Sequence, residues 1–155
     1  MSQEPRWLTP AEQEAWRSFV RVHLQLDGRL SRELQAESNL SSADYAVLVS
    51  LTDVPDGRQR LLALAGGLEW EKSRMSHHIT RMVRRGLVIR EECAEDGRGA
   101  FVAITPAGRG AIAAAAPRHV EAVRRLVVDV LGPEELGALH RICGRILERL
   151  ESESA

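Results

Sequence analysis

The stretch EKSRMSHHITRMVRR, residues 71–85, carries the pattern on which the predicted fold depends. Its apolar residues recur every three or four positions, which is the spacing that places side chains on one face of an α-helix. These apolar residues are Met75, Ile79, Met82 and Val83. The opposite side of such a helix carries Arg74, His77, Arg81 and Arg84. The pattern therefore predicts a helix with an apolar inner face and a basic outer face.

Positive charge is concentrated in and just after this stretch. Residues 72–90 contain no Asp or Glu, whereas the whole chain has a formal net charge of -1 at pH 7. The basic residues of this segment are Lys72, Arg74, Arg81, Arg84, Arg85 and Arg90. A local basic surface on a nearly neutral protein favours binding to a polyanion, and the short polar side chains of Ser73, Ser76 and Thr80 can hydrogen-bond to phosphates or base edges. A DNA recognition helix is indicated, with a merely solvated basic helix as the simpler alternative.

Length and composition limit the possible architectures. The 155 residues, 44% of them hydrophobic, fit one domain or a DNA-binding lobe carried on an oligomerising frame. No apolar run approaches membrane-spanning length and the N-terminus does not resemble a signal peptide, so we expect a cytoplasmic protein without a membrane partner. Cys93 and Cys143 have neither disulfide nor zinc spacing. We expect no cofactor and no bound metal.

Three helices are predicted before the basic helix. Thr9, Pro10 and Glu12 form a strong helix start with a capping box, and apolar spacing continues to near Glu37. A helix of that length has more apolar surface than a small lobe can cover, so part of it is expected to contact a second subunit. Two shorter helices follow over residues 41–52 and 61–66. The second of these, a tight turn and the basic helix make a helix-turn-helix.

A β-hairpin is predicted after the basic helix, which Gly86 ends. Residues 87–91 and 101–105 are rich in β-formers, and the turn-rich segment between them holds Arg98 near its tip. A hairpin that directly follows a helix-turn-helix is the wing of a winged helix. Arg98 would lie where a wing reaches the DNA backbone or the minor groove.

Two further helices are predicted at the C-terminal end. The first opens at Thr105-Pro106 and continues towards Leu131, with a kink or break near Ala116 because Pro117 lies inside it. The last begins at Glu134 and carries an apolar stripe. The predicted fold class is mainly α with a small β-hairpin wing, in which a winged helix-turn-helix lobe (residues 41–105) is carried on a helical dimerisation frame (residues 1–40 and 106–155).

The order of elements and several short motifs resemble the MarR family of winged-helix regulators. The amino-acid sequence of these motifs resembles the actinobacterial branch of that family. The matching pieces are Leu48 to Leu51, Ser73-Arg74-Met75-Ser76-His77-His78, Arg85-Gly86-Leu87-Val88, the wing residues Asp96 and Arg98, and Ile104 to Gly108. The resemblance implies a homodimer that places two recognition helices in successive major grooves of a pseudo-palindromic operator. It also implies repression, relieved by a small anionic or phenolic ligand that binds between the lobe and the dimer frame.

The resemblance also implies roles for individual residues. The side chains expected to approach base edges are Arg74, Ser76, His77 and Arg81. Those expected to hold phosphate or sugar are Lys72, Ser73, Thr80, Arg84 and Arg98. Asp96 is expected to orient Arg98 within the wing. His78 lies nearer the apolar stripe, so a buried or boundary position is at least as well supported as a DNA contact.

Other functions compete with DNA binding as explanations of the sequence. A thiol-based redox sensor would use Cys93 or Cys143, but a small buried hydrophobic residue is the default for Cys143. The histidines lack ligand spacing for a metal sensor, and no catalytic motif is present, so an enzyme is not expected. His23, Asp27 and Tyr45 are candidates for lining a ligand pocket between the first two helices, with simple core or surface roles as the alternative. A protein-interaction adaptor without DNA contact is disfavoured by the uninterrupted basic face.

Overall fold

The computed structural model describes residues 4–92 and 99–154. Its elements, in chain order, are α1 (Pro10–Ser38), α2 (Ser42–Thr52), β1 (Arg58–Arg60), α3 (Leu61–Gly67), α4 (Lys72–Arg84), β2 (Val88–Glu92), β3 (Ala100–Ile104), α5 (Pro106–Leu126), a 3-10 turn (Val128–Val130) and α6 (Pro133–Ser154). The predicted fold class is confirmed, because a small antiparallel sheet accompanies a mostly helical chain. Two compact units are present, Met1–Pro117 and Arg118–Ala155.

The first two helices begin where the sequence predicts. At the start of α1 the Thr9 hydroxyl accepts from the backbone N–H of Glu12, and the Glu12 carboxylate accepts from the backbone N–H of Thr9 at 2.8 Å. Ser41 and Asp44 form the same reciprocal pair at the start of α2, at 2.9 and 3.0 Å. Each pair satisfies backbone donors that have no partner inside the helix, which fixes the first turn.

The core of the first unit lies among α2, α3, α4 and the sheet. Its largest fully buried side chains are Leu40, Val47, Leu48, Leu51, Leu64, Met75, Ile79, Met82, Val88 and Val102. Three of the four predicted apolar residues of α4 are therefore completely buried. Val83 is 38% exposed, so its predicted core position is wrong. It follows Met82 by one residue, which rotates its side chain about 100° away from the buried stripe.

The sheet has three strands rather than the two of the predicted hairpin, in the order β1-β3-β2 with antiparallel pairing. The additional strand, β1, is the three-residue segment Arg-Gln-Arg, which pairs with residues 101–103 of β3. It has no alternation of apolar and polar residues, so no strand pattern predicted it. The guanidinium groups of Arg58 and Arg60 lie 3.7 and 4.7 Å from the centre of the Phe101 ring, and Arg58 also pairs with Glu91 at 2.7 Å.

The C-terminal helices differ from the prediction in their bounds. Of the kink or break predicted near Ala116, the break is not found, since α5 continues as a helix across Pro117 and ends at Leu126, short of Leu131. The kink stays a prediction. A proline removes one backbone hydrogen bond, and the 21-residue helix keeps enough others to remain continuous. α6 begins at Pro133. No helix within the described ranges is long and apolar enough to cross a membrane.

Candidate nucleic-acid interface

The turn between α3 and α4 sets the direction of the basic helix. Glu69 has a left-handed backbone conformation (φ 54°), and the backbone N–H of Trp70 donates to the carbonyl of Ala65 at 2.9 Å. α4 then packs its buried residues into the core shared with α2 and α3. A short helix, a tight turn and a packed second helix make the predicted helix-turn-helix.

The predicted DNA-facing side chains of α4 lie together on its outer surface. Those that are exposed are Lys72, Ser73, Arg74, His77, Thr80, Arg81 and Arg84, and Ser76 is half-buried among them. They cover the side opposite Met75, Ile79 and Met82. The chain therefore presents a continuous surface of cationic and short polar groups. That these side chains contact DNA stays a prediction.

Several of these side chains also contact neighbours within the lobe. The Arg74 guanidinium lies over the Trp70 ring at 4.1 Å, and the Thr80 hydroxyl donates to the Ser76 carbonyl one turn earlier in the helix. Arg90 of β2 donates to the Ser76 hydroxyl at 3.0 Å and also pairs with Glu92. Arg90 was not among the predicted contact residues. Arg90 belongs to the segment 72–90 that contains no Asp or Glu, and this feature of the sequence could have indicated it.

A buried polar cluster lies beneath this surface. His78 is 6% exposed and its ring packs edge-on against Trp70 at 5.4 Å. Its Nδ1 lies 3.1 Å from Arg81 Nη2, and its Nε2 lies 3.0 Å from Asp44 Oδ1 in an electrostatic approach rather than a well-aligned hydrogen bond. Of the buried or boundary position expected for His78, the structure shows the buried one, with a direct link to Arg81.

Asp44 anchors the cluster from α2. Arg85 contacts the Asp44 carboxylate at 2.7 Å and also donates to the backbone carbonyl of Asn39, just after α1. Burial alone would raise the pKa of the Asp44 carboxyl, but the contacts with His78, Ser41 and Arg85 outweigh it and hold that pKa well below its usual range. Asp44 is therefore charged at neutral pH. The sequence places Asp44 near the start of the second predicted helix and does not indicate its link to α4.

The predicted wing contacts fall outside the part of the chain that the structure describes. This applies to Asp96 and Arg98, and to Cys93 as a candidate thiol sensor. The two strands that would carry the wing are present and paired, with Val88 opposite Ile104 and Glu92 opposite Ala100. Cys143, the other candidate thiol, is half-buried on α6.

A cavity of about 580 Å³ opens beside this interface, between α1, α2 and the start of α4. Its lining residues are Asp27, Ser31, Arg32, Gln35, Ser41, Ser42, Ala43, Ala46, Trp70 and Arg74. Of the three predicted pocket residues, Asp27 lines this cavity. His23 is exposed on α1 and outside the lining, and Tyr45 packs against the core, where burial raises the pKa of its hydroxyl. Across residues 4–92 and 99–154, no group of three or more His, Cys, Asp or Glu is arranged to hold a metal ion.

Comparison with known proteins identifies a family-level match over the same lobe. A model of a winged helix DNA-binding domain matches residues 40–108. The transcriptional regulator HosA of Escherichia coli is 37% identical over 104 residues, which are 67% of this chain and 73% of HosA.

Two solved structures from Streptomyces coelicolor are similar over nearly the whole chain. AbsC, a MarR family transcriptional regulator, is 40% identical with a TM-score of 0.89, covering 96% of this chain and 99% of AbsC. Sco3205, a MarR family transcriptional regulator in complex with DNA, is 38% identical with a TM-score of 0.90, covering 96% of this chain and 93% of Sco3205.

Proposed function

Because the chain belongs to the MarR family of DNA-binding transcriptional regulators, we propose that it acts as a homodimeric repressor of a pseudo-palindromic operator and is released by a small anionic or phenolic ligand. The relatives indicate a regulator and not an enzyme. The observation that carries the proposal is the exposed basic surface of α4, which is continuous over its length and firmly packed from behind.

The chemistry of this surface suits both parts of DNA recognition. Arginine can contact the O6 and N7 atoms of guanine with two donors, which makes Arg74 and Arg81 the candidate base readers. Lys72 and Arg84, with the short hydroxyl side chains, are suited to phosphate contacts that set the register of the helix on the duplex. Arg98 is proposed to add a contact from the wing.

Exposed apolar side chains on the long helices support a dimer. On α1, Trp16, Phe19, Val22 and Leu24 are each more than half exposed. On α6, Ile142, Ile146, Leu147 and Leu150 are between 42% and 56% exposed. Such stripes are costly in water and are typical of surfaces that a second subunit covers. Two copies would present two recognition helices to half-sites about 34 Å apart, and residues 1–40 and 106–155 would form the frame between them.

The cavity beside α4 supports a ligand-responsive mechanism. Arg32 and Arg74 line it together with the indole of Trp70, a combination suited to an aromatic anion. Arg74 also lies on the predicted DNA-facing surface of α4. A ligand that binds Arg74 would therefore compete with DNA for this side chain or shift the position of α4. DNA affinity falls in either case, because the ligand binds the DNA-free arrangement more tightly than the DNA-bound one.

The test is selection of bound fragments from a random DNA pool at two salt concentrations, combined with sedimentation. We expect a pseudo-palindrome with half-sites one turn apart, a dimer in solution, and release of the selected DNA by salicylate, used as a phenolic anion.

Ile146→Glu should shift the protein towards monomer and weaken operator binding. The matched control is Glu148→Lys, an exposed charge change on the same helix. Recovery of DNA without a motif, or a stable monomer at micromolar concentration, would contradict the proposal.

A further inference from the structure

We propose that His78 is a positioning residue for DNA reading, which holds the guanidinium of Arg81 through a hydrogen bond whose direction is fixed by Asp44. The proposal rests on the proposed function, because it assigns His78 a part in the sequence preference exerted by Arg81. It concerns a side chain that is itself buried and does not reach the DNA.

The chemistry of the three groups determines where the imidazole proton lies. A guanidinium only donates hydrogen bonds, so His78 Nδ1, 3.1 Å from Arg81 Nη2, must present its lone pair. The proton of the neutral ring is then on Nε2, which faces Asp44 Oδ1 at 3.0 Å. A bare lone pair there would be repelled by the carboxylate. Both ends of the ring therefore select the same tautomer.

The ring is held in this orientation from several sides. His78 is 6% exposed and contacts the edge of Trp70, while Asp44 is 4% exposed and fixed by Ser41 and Arg85. A buried chain therefore runs from the start of α2 through His78 to an exposed arginine on α4. This chain has one rigid end, in the core, and one end at the surface that is proposed to read bases.

Holding Arg81 matters because a free arginine side chain loses considerable rotational freedom when it binds. A guanidinium that is already oriented loses less, so more of its interaction with a base appears as affinity and discrimination. The guanidinium has five N–H donors, so one hydrogen bond to His78 is compatible with a two-donor contact to guanine. His78 would thus sharpen the preference for one base pair without touching it.

Two substitutions of His78 test the roles of its two ring nitrogens separately. The side-chain oxygen of asparagine can occupy the position of Nδ1, whereas the amide of glutamine reaches the position of Nε2. We expect His78→Gln to lower the discrimination at the Arg81-dependent base pair by about 3- to 10-fold, the size of one hydrogen bond. Its affinity for random DNA should be unchanged. His78→Asn should retain most of the discrimination, and thermal melting of both variants reports folding separately.

The Arg81-dependent base pair is defined first, as the operator position at which Arg81→Ala relaxes the preference. In that Arg81→Ala background, His78→Gln should cause no further loss, because a positioning residue acts only through the residue it positions. Additive losses in this double-mutant cycle would overturn the proposal. So would a His78→Gln protein that folds and keeps full discrimination.

A measurement without DNA tests the hydrogen bond directly. Nitrogen-15 NMR of the imidazole in the full chain should give a protonated Nε2 and an unprotonated Nδ1 at neutral pH, and His78→Asn identifies the resonance. A proton on Nδ1 would overturn the inference while leaving the proposed function intact. If the wild-type protein binds no specific sequence, the proposed function fails and the role of His78 in reading fails with it.

Discussion

Arg85, one residue after α4, lies 2.7 Å from the carboxylate of Asp44 near the start of α2, although the two residues are 41 positions apart in sequence. The same carboxylate completes the capping box with Ser41 and faces His78 in the middle of α4. One buried charge thus ties α2 to the middle of the proposed recognition helix and to the residue that follows its end. The position of α4 depends on this group as well as on apolar packing.

Removal of that charge should destabilise the lobe. We expect Asp44→Ala to lower the free energy of unfolding by about 3 kcal/mol, because it leaves His78 and Arg85 without their buried acceptor and removes the α2 capping box. The measurement is urea unfolding followed by circular dichroism. Asp53→Ala, an exposed aspartate at the end of the same helix, is the control and should change stability by less than about 0.5 kcal/mol. Equal effects of the two substitutions would contradict this role of Asp44.

The low pKa of Asp44 predicts how stability depends on pH. Its folded-state pKa is held below the unfolded value, which is about 3.9 for aspartate. The resulting stabilisation is complete above the unfolded pKa and is lost as the pH falls below about 4 towards the folded pKa. Between pH 6 and pH 3, the free energy of unfolding of the wild type should therefore fall more steeply than that of Asp44→Asn. Parallel profiles for the two proteins would show that other carboxyl groups cause the acid loss.

A glycine at the start of α5 should be intolerant of any side chain. A Cβ atom at Gly108 would lie 2.1 Å from the carbonyl oxygen of Leu87 and 2.8 Å from a methylene carbon of Ile104. We expect Gly108→Ala to destabilise the protein by about 3 kcal/mol, since backbone must move to relieve the overlap. Thermal and urea unfolding measure the loss.

The control for this substitution lies two residues further along the same helix. A Cβ atom at Gly110 would meet no atom of the described chain within 4 Å. Gly110→Ala should therefore stabilise α5 by about 0.5–1 kcal/mol through the higher helix propensity of alanine. Destabilisation of the same size at both positions would mean that the close approach at Gly108 is not the cause.

Local sequence patterns were sufficient to predict the elements that local physics determines. The capping box at Thr9, the start of α2 at Ser41 and the buried side of α4 depend on residues within one or two helical turns of each other. Strand β1 was missed because three polar residues carry no periodic signal, and it becomes a strand only through pairing with β3. The continuous helix across Pro117 was likewise not evident from the rule that proline interrupts helices.

The polar cluster could not be predicted, because its members are brought together only by the fold. Asp44 and His78 are on different helices, and the sequence places the first near the start of one helix and the second at a buried or boundary position of another. The cavity illustrates the same limit. Asp27 was identified from its place on α1, but Trp70 and Arg74 join the lining through the packing of α4 against α2.

The proposed phosphate contact of Arg84 leads to a prediction about salt. Arg84 is exposed at the last turn of α4, and its neutralisation of a phosphate would release counterions on binding. We expect Arg84→Ala to weaken binding to the selected operator and to random DNA by similar factors. The slope of log affinity against log salt should fall by about 1 for each subunit in contact, and therefore by about 2 for a dimer on both half-sites.

Fluorescence anisotropy at several salt concentrations measures these slopes. Arg6→Ala, an exposed arginine outside the helices, is the matched control and should leave the slope unchanged. A loss confined to the operator would make Arg84 a base reader, and an unchanged slope would remove it from the interface. A decrease of about 1 rather than 2 would mean that only one subunit places this residue on DNA, which would contradict symmetric binding by two recognition helices.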